Sequence, residues 1–296
     1  MLTALTDMIL RRTVRRWFEH EPDYVKLRAK LDAFVARTDP MPRGWRVQDA
    51  GMAAGARLSF IEDARSPAAD TAPLVLYFHG GGYIVGGLKS HGAFCARLAK
   101  AVGGRVLFAD YRLAPEHPFP AAVEDGVAAF LAAATWARGK LFIAGDSAGG
   151  GLALAVAQAA ARPPDSRKAN GLILISPWVD LTLAGASMIG NAPTDAMLSM
   201  SILRRMRTAY LNGAEPADRR ASPLFEPNTH LPPTLLIYSA SEVLRDDAVR
   251  LAENLRLGGT QVREAVFAGK PHVFPVFRTV PGAGKALREI ADFVAA

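Results

Sequence analysis

The stretch Leu141-Phe-Ile-Ala-Gly-Asp-Ser-Ala-Gly-Gly150 decides how the rest of the chain is read. Leu141 to Ala144 is a continuous apolar run of strand length, and a helical stretch, Ala148 to Ala161, starts almost at once. Between them lies Gly145-Asp146-Ser147-Ala148-Gly149, the pattern G-x-S-x-G in a strand–turn–helix setting. The spacing has a steric cause. A serine on so tight a turn needs a strained backbone to project its hydroxyl above the sheet. The residues two before and two after it must be glycine, because strand and helix pass too close there for a side chain. The helix N-terminus then brings backbone N–H groups and a positive dipole end to the same place. Ser147 is therefore a candidate nucleophile, and Ala148 N–H a candidate donor to an oxyanion.

Working outward, the same rhythm recurs. Apolar runs of strand length occupy Leu74 to Phe78, Val106 to Ala109, Leu141 to Ala144, Leu172 to Ile175, Leu235 to Tyr238 and Val262 to Phe267. All but the last are continuous rather than alternating, which marks strands buried on both faces of a parallel sheet. Helical stretches separate them: Ser90 to Val102, Ala122 to Ala134, Ala148 to Ala161, Asp247 to Leu257 and Lys285 to Val294. This alternation predicts a doubly wound α/β domain. Two half-exposed strands, Trp45 to Asp49 and Arg57 to Glu62, precede it, and residues 63 to 73 read as a loop. Residues 1 to about 40 read as amphipathic helix, stopped by Pro40 and Pro42. Roughly 60 residues separate Ile175 from Leu235, too long for a plain connection. That stretch, with Met188, Met197, Met200 and Met206 and a helix-like run Leu198 to Leu211, reads as an insertion over one end of the sheet.

Composition narrows the classes. The chain has 296 residues, half of them hydrophobic, with 35 Lys+Arg, 28 Asp+Glu and a single Cys. It is neither a disordered chain nor a disulfide-stapled one. The net charge of +7 is spread along the sequence, and no aromatic-interleaved basic patch points to nucleic acid. The one local excess, Arg11, Arg12, Arg15 and Arg16 beside Trp17 and Phe18, reads as the solvated face of an amphipathic helix, with a membrane-surface or partner-docking helix as the rival. No run approaches the length of a membrane helix, and the first apolar stretch lacks the features of a signal peptide. One cysteine and no leader lead to the expectation of a reducing, cytoplasmic setting.

Three more pieces belong to the chemistry. His79-Gly80-Gly81-Gly82 follows the strand Leu74 to Phe78, and its glycines let main-chain N–H groups approach a substrate oxygen. Gly82, Gly87, Lys89 and Ser90 nearly spell a phosphate-binding loop, but Leu88 breaks the spacing. Gly81 and Gly82 thus join Ala148 as candidate oxyanion donors, and His79 is expected to tie the loop down. Of the six histidines only His230 and His272 follow Ser147. The chain order nucleophile, acid, base selects His272, on a Gly/Pro loop after the last strand. His230 precedes the strand that should deliver the acid, and reads as a loop residue. Glu242, Asp246 and Asp247 follow that strand. Glu242 lies nearest its end, while the two aspartates fall where a helix cap and first turn are expected.

Together, His79-Gly-Gly-Gly82, Asp110-Tyr-Arg-Leu-Ala-Pro-Glu116, Phe119-Pro-Ala-Ala122, Gly145-Asp-Ser-Ala-Gly-Gly150, Ser222-Pro-Leu224 and the His272 loop resemble the bacterial hormone-sensitive-lipase-like (family IV) esterases of the α/β-hydrolase superfamily. The resemblance covers nearly the whole chain. Many members carry Asp-Pro-Leu where this chain has Glu242-Val-Leu244; alignment puts Glu242 on the usual aspartate, with Asp246 competing if the loop is rotated. The resemblance implies an α/β-hydrolase fold, with an eight-stranded, mostly parallel sheet flanked by helices. It divides the chain into an N-terminal part of a helical cap (1–45), a first part of the core (46–179), a cap insertion (180–220) and a second part of the core (221–296). It implies a serine carboxylesterase acting on short- to medium-chain acyl esters through Ser147, Glu242 and His272, with Gly81, Gly82 and Ala148 as the oxyanion hole. No cofactor and no metal are implied. A small-molecule ester is the implied partner, with no nucleic acid and no stable membrane insertion. Members commonly pair as homodimers. The rival reading is a non-catalytic small-molecule-binding protein on the same fold.

Overall fold

The structure, a computed structural model, describes residues 2–162 and 168–296. Residues 2–20 form α1 (Leu2–Leu10), a π-helical turn (Arg11–Arg15) and α2 (Arg16–His20). Pro22 then interrupts the helical stretch that the sequence pattern extends to about residue 40. Asp23 restarts it, its Oδ1 accepting the N–H groups of Val25 (2.9 Å) and Lys26 (3.1 Å) at the head of α3 (Tyr24–Thr38). That is the N-cap geometry that satisfies orphan donors of a first turn.

Among the described residues one eight-stranded sheet forms, from β1 (Trp45–Ala53), β2 (Ala56–Asp63), β3 (Leu74–Phe78), β4 (Arg105–Asp110), β5 (Leu141–Asp146), β6 (Gly171–Ile175), β7 (Thr234–Ser239) and β8 (Val262–Phe267). The spatial order is β1-β2-β4-β3-β5-β6-β7-β8. β2 is antiparallel to β1 and β4, and every later pair is parallel. β3, β5, β6 and β7 are buried along their whole length, while β8, at the edge, is half-exposed. This follows the difference between continuous and alternating apolar runs. β2 departs from the half-exposed expectation. Paired on both sides, it sends Leu58 into one core layer and Ile61 into the other.

The helices complete the layers. Val123 and Phe130 of α5 (Ala121–Trp136), Leu152 and Val156 of α6 (Ala148–Ala161) and Leu251 of α9 (Arg245–Leu257) pack on one face. Phe94 and Leu98 of α4 (Leu88–Val102) and Ile290 and Val294 of α10 (Ala283–Ala295) pack on the other. The chain leaves β3 toward β4 on one side and returns to β5 on the other. This reversal opens a crevice at the carboxyl ends of β3 and β5, where open α/β sheets bind ligands. The long connection after β6 carries α7 (Ser187–Gly190) and α8 (Met200–Leu211), the latter capped by the Ser199 hydroxyl. No helix among the described residues is long and apolar enough to cross a membrane.

Candidate active site

The turn between β5 and α6 holds Ser147 at φ 53°, ψ −122°, a conformation a non-glycine residue seldom adopts. The two flanking glycines make it sterically feasible. A Cβ on Gly145 would fall on the carbonyl oxygen of Gly149, and one on Gly149 would fall on the carbonyl oxygens of Phe78 and His79. The turn therefore packs β5, α6 and the end of β3 at backbone contact.

Ser147 Oγ lies 2.9 Å from His272 Nε2, and His272 Nδ1 lies 2.5 Å from Glu242 Oε2. These three residues, 125 and 30 positions apart in pairs, are all buried. With Glu242 as acceptor, the proton sits on Nδ1 and leaves Nε2 free to accept the serine hydroxyl. The second oxygen of Glu242 accepts the N–H of Ser239 at 2.8 Å, which fixes the carboxylate against the end of β7. Burial alone would push the His272 imidazolium below its ordinary range. The hydrogen bond and charge of Glu242, with Asp195 and Asp146 behind it, outweigh burial and raise it.

The other carboxylates near β7 are engaged elsewhere. Asp246 accepts the N–H of Ser187 at 2.8 Å and pairs with Arg245. Asp247 accepts the N–H groups of Val179 and Asp180, both at 2.9 Å, and burial pushes its carboxyl up to about 8. His230 is exposed on its loop, outside the crevice.

The glycine loop after β3 faces Ser147. Gly81 and Gly82 have φ of +118° and +63°, and both line the same cavity as Ser147 and His272. His79 is wholly buried. It stacks on Tyr111 at 4.3 Å between ring centres, and its Nδ1 sits 2.8 Å from the carbonyl of Gly80. Burial holds its imidazolium down at about 3, so it stays neutral and acts as packing for the loop. The Tyr111 hydroxyl donates to His79 O at 2.7 Å, which gives part of the Asp110–Glu116 motif its role. Glu116 in that motif receives a two-pronged contact from Arg28 of α3, whose Nε also donates to Ile84 O at 2.8 Å.

Sequence reasoning passed over one residue in the motif itself. Asp146 accepts the Tyr77 hydroxyl at 2.5 Å and the Gly80 N–H at 2.9 Å, and lies 3.5 Å from His91 Nε2. Burial would raise its carboxyl, but the charge and hydrogen bond of His91 and the Tyr77 hydroxyl hold it below the ordinary carboxylate range. It thus joins the serine turn to the glycine loop. Its only sequence signal was its place next to Ser147.

The cavity above Ser147 is apolar. Val14, Phe18 and Phe34 line it from the N-terminal helices, and Met197, Leu203 and Met206 from the insertion. Two of the insertion's four methionines, Met197 and Met206, thus face this space.

A buried serine–imidazole–carboxylate chain beside a glycine loop, at the switch point of a mostly parallel α/β sheet, is the arrangement that nucleophilic serine hydrolases use. Comparison with known proteins narrows the class. The family described as alpha/beta hydrolase fold matches residues 75–276. An acetyl-hydrolase of Streptomyces hygroscopicus is 39% identical over 227 residues, 76% of each chain. An esterase from the bacterial hormone-sensitive lipase (HSL) family superimposes with a TM-score of 0.89 at 30% identity, over 99% of this chain and 97% of that one. EstE5, in a crystal soaked with p-nitrophenyl butyrate, gives 0.89 at 32% identity over the same shares. The chain belongs to the bacterial hormone-sensitive-lipase family of α/β hydrolases, and it is a carboxylic ester hydrolase.

Proposed function

We propose that the chain is a serine carboxylesterase in which Ser147, His272 and Glu242 form the catalytic triad and Gly81, Gly82 and Ala148 the oxyanion hole. The observation that carries this is the hydrogen-bonded chain of 2.9 and 2.5 Å from serine through imidazole to a buried carboxylate. Ser147 Oγ attacks the ester carbonyl carbon as its proton passes to His272 Nε2. The carbonyl electron pair moves onto oxygen, where the three N–H groups receive it. Collapse of the tetrahedral adduct breaks the C–O bond, and the leaving alkoxide takes the proton from His272. Water, deprotonated by the same nitrogen, then attacks the acyl carbon, and collapse of this second adduct breaks its bond to Ser147 Oγ, which takes the proton back from His272 as the acid is released. Glu242 holds the tautomer and stabilises the imidazolium throughout.

Residues 1–45 and the insertion 180–220 act in this reading as a cap, because both supply apolar walls of the cavity. The cavity volume of about 80 Å³ favours the short end of the short- to medium-chain acyl range. A cavity that admits benzene is roughly 150 Å³. A cytoplasmic location, argued from the single cysteine, and pairing of two copies through the sheet edge complete the reading.

Covalent labelling by an organophosphate, followed by mass spectrometry, tests it. Label on Ser147 in the parent and none in Ser147→Ala is the expected result. Hydrolysis of p-nitrophenyl butyrate by Ser147→Ala at the parental rate would refute it.

A further inference from the structure

The arginine cluster of the N-terminal helix finds no explanation in the ester chemistry, and only Arg12 and Arg16 are exposed as a solvated face should be. Arg11 and Arg15 point inward. Arg11 Nη2 donates to the carbonyls of Pro193 (2.9 Å) and Thr194 (3.0 Å), and Arg15 Nη1 to the carbonyl of Asp195 (2.9 Å). Both sit in the π-helical turn Arg11–Arg15, whose wider winding sets them on one side while Val14 faces the cavity. Two arginines thus grip three successive carbonyls of the insertion.

That gripped segment holds the loop that carries Glu242. Asn191 Nδ2 donates to the carbonyls of Ala240 (3.0 Å) and Glu242 (2.9 Å). Thr194 Oγ1 donates to the carbonyl of Ser241 (2.9 Å). The N–H of Val243 donates to Asp195 Oδ2 (3.0 Å). Four hydrogen bonds therefore run from residues 191–195 to four consecutive residues, 240–243. Asp195 is 2% exposed, and its other oxygen accepts the N–H groups of Met197 (2.8 Å) and Leu198 (2.9 Å), which line the cavity. One buried carboxylate bridges the cavity wall and the acid loop.

We infer that Asp195, with Asn191 and Thr194, is a positioning residue for Glu242, and that Arg11 and Arg15 hold this clamp in place from the N-terminal helix. The inference rests on Glu242 being the triad acid. Its physical basis is geometric. The hydrogen bond from His272 Nδ1 to Glu242 Oε2 is short, and its strength depends on where the Glu242 backbone lies. The clamp fixes that backbone on both sides, through Ala240 and Ser241 before it and Val243 after it. The segments that cover the substrate thereby act on the reaction through the acid, over and above shaping the cavity.

A double-mutant cycle tests this. In Asp195→Asn the side chain keeps one acceptor oxygen, so its NH₂ must face either Val243 N–H or the Met197 and Leu198 N–H groups, and one arm breaks. Expected for Asp195→Asn is a loss of about 10- to 100-fold in kcat, the scale of a hydrogen bond to a charged group, with KM for p-nitrophenyl butyrate within about threefold of the parent. In a Glu242→Gln background the same substitution should cost less than about twofold, because the residue it acts through is already disabled. Arg11→Met/Arg15→Met, which leaves the clamp's own atoms intact and whose folding is checked by Tm, should lower kcat in the same direction, and Arg11→Lys/Arg15→Lys should restore most of it. Equal losses from Asp195→Asn in both backgrounds, or an effect confined to KM, would overturn the inference while leaving the triad intact. A Glu242→Gln variant at the parental rate would instead remove the triad reading, and shows in that arm alone.

Discussion

Replacing Glu242 by Gln is the sharpest perturbation of the proposed mechanism. The side chain is isosteric and its site is closed, so the fold should be kept. Gln Oε1 can still accept the Ser239 N–H that now reaches Glu242 at 2.8 Å. Its NH₂ then faces His272 Nδ1 and donates to it. That forces the imidazole proton onto Nε2, the atom 2.9 Å from Ser147 Oγ, and blocks the base. The imidazolium formed in the transition state also loses the negative charge beside it. A triad of the same geometry loses about 10⁴ in kcat when its acid becomes an amide. With the Glu242–His272 contact as short as 2.5 Å, we expect a loss on the order of 10³- to 10⁴-fold in kcat/KM for a short acyl ester. At 1.36 kcal/mol per decade this is about 4 to 5.5 kcal/mol of transition-state stabilisation. The pH profile supplies a second readout. His272 is raised because Glu242 outweighs burial, so parental activity should fall as pH drops through a value above the ordinary histidine range. In Glu242→Gln the burial effect is left unopposed by Glu242, and the acidic limb should move to lower pH. Asp246→Asn is the control, with a loss under about threefold expected because its carboxylate serves the Ser187 N–H. A Glu242→Gln enzyme within tenfold of the parent with its acidic limb unmoved, or a larger loss in Asp246→Asn, would refute the reasoning.

Other outcomes follow from the same geometry. Gly149→Ala drives a Cβ onto the carbonyls of Phe78 and His79 and should cost about 3 kcal/mol or more in stability, read from denaturant unfolding. Asp247 is pushed up to about 8, so the folded state holds a proton there that the unfolded chain releases near its ordinary value. Stability from this group is full below the unfolded value and is lost as pH rises through about 8, and Asp247→Asn should flatten that decline in a Tm-against-pH series. An unchanged slope would show that the proton resides elsewhere. Leu203→Ala opens the cavity wall and should raise the octanoate-to-acetate ratio of kcat/KM by about tenfold, measured with p-nitrophenyl esters.

Much of this molecule is legible in one dimension because its causes are local. A run such as Leu172 to Ile175 needs both faces covered wherever it ends up, so continuous apolarity marks an interior strand. Gly145 and Gly149 are demanded by the backbone two residues either side of Ser147, and that constraint is written at fixed spacing. Chain order separated His272 from His230 for the same reason, since the strand that each residue follows is visible in sequence.

What the chain alone left open depends on meetings between residues far apart. Three carboxylates, Glu242, Asp246 and Asp247, lie within six positions, and only the turn after β7 and the crossing of the insertion decide that Glu242 faces His272 while the other two serve Ser187 and Val179. The arginine cluster looked like a solvated face because its partners, the carbonyls of residues 193–195, are backbone groups some 180 residues away and carry no sequence signal. Asp146 gave no more hint of tying the serine turn to Gly80 and Tyr77. Sterics and hydrophobic periodicity, which act between neighbours, determined the sheet and the serine turn. Which polar groups satisfy one another across the crevice was decided by tertiary packing, because a buried donor or acceptor takes whatever partner the fold brings within reach.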